Sequence, residues 1–168
     1  MALKPDRHEL LTDISFFMNE TAERGVVVVH STVGSGAAMD DGNAVVAIPT
    51  TASGTFPAGL LLNDVVNIDL TRQHLNQHQD EVQKGGKVTL LKQGWVVSNK
   101  LDDGNDAITA GANAYYASSG LLTTARGLDV DTTAEAAEVD VDYEALKVGR
   151  FLSSKDADGY AKVYINIS

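Results

Sequence analysis

The chain has 168 residues, 43% apolar and only 6% aromatic, with 13 Lys and Arg against 23 Asp and Glu, a formal charge of −10. That balance argues against a phosphate-neutralising surface, which needs clustered Lys and Arg. The absence of cysteine excludes disulfides, thiolate chemistry and Cys-based metal centres. The apolar fraction suits one well-buried core, and no apolar run nears the roughly 18 residues of a membrane span.

Residues 1–25 form the first unit, an N-terminal arm. Asp6 and Glu9 fit a capping box after Pro5, and Leu10, Ile14, Phe17 and Met18 recur at helical spacing. Ile14, Phe16 and Met18 equally alternate as a strand does, so helix and strand both stand for this segment. The opening MALKPDRHELLTD has no apolar h-region, so no secretory leader is expected.

Residues 26–168 read as a single β-domain. Val26 to Val29 is a continuous β-branched run, suited to a strand buried on both faces. Gly34-Ser35-Gly36 and Asp40-Asp41-Gly42 are turn signals before a strand at Ala44–Ile48. Residues 50–59 read as a loop, after which Leu60-Leu61-Leu62 resumes apolar character. Residues 64–84 form a polar connection rich in Gln, His and Asn, with a short helical turn expected around Leu70–Gln77.

The stretch 82–124 organises the remainder. Val88, Leu90 and Leu91 make one apolar run and Trp95, Val96 and Val97 another, with Lys92-Gln93-Gly94 between them placed as a hairpin turn. Ala114 to Ala117 is a further short strand, and Ser118-Ser119-Gly120 turns the chain into Leu121–Thr124. Residues 125–147 are an acidic surface excursion, with one helical turn expected at Ala134–Glu138. From Leu101 to Leu146 there are ten acids against one base, Arg126. The chain closes with strands at 148–152 and 160–167. In the last, Ala161, Val163, Ile165 and Ile167 alternate with Tyr160, Lys162, Tyr164 and Asn166. The fold class is therefore mainly β, one β-body with an N-terminal arm and at most short helices.

No constellation carries convincing reaction chemistry. His74 and His78 have i, i+4 spacing, but HLNQH lacks the Glu of a zincin and no third ligand is set by spacing. Asp156-Ala157-Asp158-Gly159 resembles part of a calcium loop, yet the twelfth position falls on Ile165, so a β-turn suffices. His30-Ser31 sets a base beside a hydroxyl on opposite faces of a strand, and no nucleophile elbow or phosphate-cradling glycine motif is present. No cofactor, metal or catalytic residue is expected. Trp95, Tyr115 and Tyr116 lie near turns, where they pack or bind a partner more readily than they stack on sugars.

GGKVTLLKQGWVVSN, ITAGANAYYASSGLLTT and VGRFLSSKDADGYAKVYINI together resemble the capsid decoration, or cement, proteins of tailed bacteriophages, over residues 82–168. GLLLNDVVNIDLTRQHLNQHQDEVQ resembles the preceding part of longer members, while the acidic excursion departs from their more compact pattern. The resemblance implies a β-barrel or tulip-like body on the outer surface of an expanded head, holding major capsid subunits together, commonly as a trimer. Its expected partners are the major capsid protein and further copies of itself, with no nucleic acid and no membrane. The contact residues expected are Phe16, Phe17, Met18 and Arg24 in the arm, Arg72, His74 and His78 in the polar connection, and Trp95. A tail-tube or head–tail connector component and a carbohydrate-binding module are the alternative readings.

Overall fold

The structure, a computed structural model, describes residues 2–31, 44–52, 54–67, 81–102, 104, 107–125 and 146–167. The expected turns at 34–36 and 40–42, and the helical turns at 70–77 and 134–138, lie outside the described residues. Within them the chain is mainly β. Its strands are β1 (His8–Met18), β2 (Val27–Ser31), β3 (Val45–Ala47), β4 (Pro57–Leu61), β5 (Asp64–Val66), β6 (Glu81–Gln83), β7 (Lys87–Ser98), β8 (Asn113–Tyr116), β9 (Leu122–Thr123), β10 (Gly149–Phe151) and β11 (Ala161–Asn166). Ser118–Gly120 is a 3-10 turn.

Nine strands form one sheet in the order β1-β3-β2-β4-β7-β11-β10-β8-β9, and β1 also pairs with β7. The second pairing closes β1, β3, β2, β4 and β7 into a ring, the barrel. Strands β11, β10, β8 and β9 extend from β7 as a second sheet. β7 belongs to both. Along one edge it carries β1 from Lys87 to Trp95; along the other it carries β4 at Leu90–Leu91 and β11 from Gln93 to Ser98. β5 and β6 form a separate parallel pair bracketing the polar connection, tied to the barrel by the bridge between Ala22 and Val65.

Two apolar clusters fill this body, and they explain the unbroken apolar runs. Alternate residues of a strand point to opposite faces. In β2, Val27 and Val29 enter one cluster with Leu60, Tyr116, Phe151 and Val163. Val26 and Val28 enter the other with Phe16, Met18, Leu61, Val88 and Leu90. Each face of β2 and β4 meets apolar neighbours, so neither strand shows a polar alternation. β11 has one buried face, Ala161, Val163 and Ile165, and keeps the expected period of two.

Two elements differ from the sequence reading. Lys92-Gln93-Gly94 is not a hairpin turn: Lys87–Ser98 is one continuous strand. Gly94 has φ +145°, and a Cβ there would lie 2.2 Å from the His8 carbonyl oxygen. The glycine serves close passage of β1, a use that resembles a turn signal in sequence. Residues 57–61 are strand rather than loop; Gly59 lets β4 lie against Leu90, whose Cβ would be 2.8 Å from a Cβ at this position. The expected turn at Asp156–Gly159 is present, and the Asp156 carboxylate accepts from the N–H groups of Asp158 and Tyr160.

Residues 8–18 are strand. Asp6 and Glu9 make no capping box but pair with Lys162 at 3.6 Å and Arg7 at 2.8 Å. Phe16 lies between the Lys92 ammonium, 5.3 Å from its ring, and the His30 imidazole, edge-on at 5.3 Å. Desolvation, with the Lys92 charge second, holds the His30 pKa below its ordinary value.

Gly94→Ala forces both a φ that side chains avoid and a clash with backbone, so it should cost about 3 kcal/mol or more. At this size that is a Tm drop of about 6–12 °C. Gly111 also has positive φ, but nothing lies within 4 Å of its Cβ position; Gly111→Ala should cost only about 1 kcal/mol. Equal losses in urea denaturation would refute the close-passage role. For His30, the unfolded chain takes up its proton at higher pH than the folded one, so its contribution is present above the unfolded pKa and is lost as pH falls. His30→Gln should therefore flatten the decline in stability between pH 7 and 5, and an unchanged slope would contradict this.

Candidate interaction surface

The outward face of the second sheet carries a row of side chains set by strand register. Residues directly opposite one another in adjacent strands share a face. Register places His8 beside Trp95, Trp95 beside Tyr164, Tyr164 beside Arg150, and Arg150 beside Asn113. The row crosses five strands, about 19 Å at ordinary strand spacing. Its underside is core: Val96, Val163, Phe151 and Ala114 are buried. This alternation leaves the large polar and aromatic groups outward.

Contacts along the row hold it in shape. The His8 and Trp95 rings stack with centroids 4.5 Å apart. The Lys162 ammonium sits 5.1 Å from the Trp95 ring, a cation–π contact, and also pairs with Asp6. Gln93 Nε2 donates to the Tyr164 hydroxyl at 3.0 Å. Trp95 Nε1 is buried and finds no acceptor among the described residues. Trp, Tyr and Arg in one rigid patch are the residue types that dominate binding energy at protein interfaces.

From His8 the surface continues along β1. Residues 8–12 are exposed on both faces, and β3 covers the far edge of β1 only at Phe17 and Met18. The β1–β7 register slips between Glu9 and Leu11, between Leu11 and Thr12, and between Asp13 and Phe16. Such bulges turn side chains out of the ladder. Leu10, Leu11 and Ile14 are accordingly 53%, 55% and 63% exposed. The Asp13 carboxylate accepts from the Ser15 hydroxyl and amide, and these bonds, the hydroxyl's first, hold its pKa below the usual carboxylate range. The first seven residues of β1 thus form a flange, anchored at one end by Phe16 and Met18.

The residues singled out in the sequence fall in different places. Phe16 and Met18 are buried in the barrel cluster. Phe17 is half-buried, with the Lys87 ammonium 5.5 Å from its ring. Arg24 Nε lies 3.7 Å from Asp64 Oδ2, and its amide donates to the same carboxylate, fastening the start of β5. Trp95 stands in the outward row. Arg72, His74 and His78 lie outside the described residues. Tyr116 is fully buried, its hydroxyl donating to the Thr55 carbonyl at 2.7 Å, and Tyr115 is three strands from Trp95 along the sheet. These three aromatics do not form one platform.

His8, Tyr164, Arg150, Leu10, Leu11 and Ile14 are the surface residues that sequence reasoning missed. Tyr164 was legible as a member of the polar face of the last strand. Its alignment with Trp95 and Arg150 depends on register between segments far apart in sequence. Leu10 and Ile14 fitted a helical stripe, which hid their exposure.

A family model described as structural cement protein (E217 gp24/Pam3 gp6), a phage family, matches residues 11–166, from the β1 flange to the end of β11. No curated protein matches the chain. The matched span takes in the barrel except residues 8–10 of β1, and the whole second sheet, and the chain belongs to the phage structural cement proteins, structural components of the virion capsid.

Proposed function

We propose that this chain binds the outer surface of an expanded phage head and clamps adjacent major capsid subunits, acting as a homo-oligomer with three copies favoured. It performs no reaction; binding is the whole activity. The observation that carries this reading is the β1 flange, exposed on both faces, with one edge left open among the described residues and three apolar side chains in water. An open strand edge offers backbone donors and acceptors to a partner chain, and the apolar side chains supply burial. The row from His8 to Asn113 borders the flange and adds an aromatic anchor at Trp95.

The energetic logic is linkage. A ligand that binds only the assembled, expanded shell stabilises that shell over every other form. A contact of about 800 Å² per partner suffices for a stable interface. Repetition over many equivalent sites, with several contacts per oligomer, raises the effective affinity. The polar connection, with Arg72, His74 and His78, is proposed as a second contact on the strength of its hydrogen-bonding side chains.

Point substitutions test the flange better than deletion, because removing residues 2–18 would also take Phe16 and Met18 from the core and open the barrel ring. The triple change Leu10→Ser, Leu11→Ser, Ile14→Ser should weaken co-sedimentation with purified heads about tenfold or more. Its own unfolding free energy should change by no more than about 0.5 kcal/mol per site. Undiminished binding would remove the flange from the interface. Saturated heads should also withstand a higher temperature than bare heads, and equal disruption temperatures would sink the stabilising role.

A further inference from the structure

Leu3 and Phe16 belong to the two apolar clusters, and no residue from 4 to 15 between them is buried. The flange lies inside that span, so apolar burial does not fix its position. Its ladder to β7 slips in register on both sides of Leu11, and Gly94, opposite Glu9, offers it no side chain. The polar partners of Glu9 and Asp13 are Arg7 and Ser15, within the segment itself. At the head of the flange, Asp6 and His8 reach across to the second sheet. The His8 ring stacks on Trp95 with centroids 4.5 Å apart. Asp6 pairs at 3.6 Å with Lys162, whose ammonium lies 5.1 Å from the same indole ring. Two residues apart, Asp6 and His8 share a face of extended chain. Trp95 and Lys162 stand diagonally on β7 and β11. Two side chains of the arm thus grip two of the sheet.

We propose that His8 is a positioning residue: stacked on Trp95, it holds the bulged start of β1 in the shape that presents Leu10, Leu11 and Ile14 to the head. This rests on the flange reading above and names the side chain that sets the flange. A segment already held in its bound shape loses less freedom on meeting a partner, so His8 adds to affinity through residues other than itself. Without the stack, β1 is free to part from β7 as far as Phe16, where core packing takes over. His8 is exposed and belongs to neither apolar cluster, so the fold does not depend on it.

Co-sedimentation with purified heads and amide hydrogen exchange, both on the full chain, test this together. A stacked ring pair shifts an equilibrium by about threefold to tenfold. His8→Ala should therefore bind heads about threefold to tenfold more weakly, and amides of residues 9–14 should exchange faster by a similar factor, with global melting unchanged. His8→Tyr restores a ring for Trp95 and should return both readouts to within about twofold of wild type. In the background of Leu10→Ser, Leu11→Ser and Ile14→Ser, His8→Ala should weaken binding no further, because the side chains through which it acts are gone. Wild-type binding by His8→Ala, unchanged exchange over residues 9–14, or no recovery in His8→Tyr would overturn the proposal. A further loss in the triple background would also overturn it, by showing that His8 meets the head directly. Wild-type binding by the triple variant would sink the flange reading instead, while faster exchange in His8→Ala, rescued by His8→Tyr, would still uphold His8 as the clasp on β1.

Discussion

Everything in this protein leans on β7. A strand has two edges and two faces, and here all four are used: β1 on one edge, β4 and β11 in succession on the other, and a separate apolar cluster against Leu90 and against Leu91. A strand saturated in this way cannot slip, because a shift of one residue would exchange the partners of both clusters at once. Gly94 is the point of closest passage. Any side chain there would push β1 away and open the barrel.

That constraint makes the exposed surface rigid. Trp95 and Gln93 project from β7 itself, and Tyr164 and Arg150 follow by direct register. A binding patch built on sheet loses little conformational freedom when it meets a partner, so more of its contact energy appears as affinity. The β1 flange is different. Its anchor, Phe16 and Met18, is core, whereas its bulged start holds Leu10, Leu11 and Ile14 in water. One strand is thus core at one end and exposed at the other, so trimming it would remove core that altering its surface would leave in place.

The charge is divided in the same spirit. Within the described body most bases sit in ion pairs or over aromatic rings, as Lys87 over Phe17 and Lys92 over Phe16. Such exposed pairs contribute little to stability. Lys147 and Arg150 are exposed and line a groove with Gly149, Tyr164 and Asn166.

Much of the architecture was legible in the residues alone. The β-branched run at Val26–Val29, the alternation from Ala161 to Ile167 and the turn at Asp156–Gly159 are local patterns, and local physics decides them. The absence of Cys and the acidic balance likewise set limits that no tertiary arrangement could lift. What the sequence left open was decided by long-range pairing. Residues 8–18 fit helix and strand equally until the open edge of β7 selected strand. Gly94 was a turn signal until a second strand was found crossing it. The surface row joins His8, Trp95, Asn113, Arg150 and Tyr164, residues that only inter-strand register brings together, and register depends on which faces find a core.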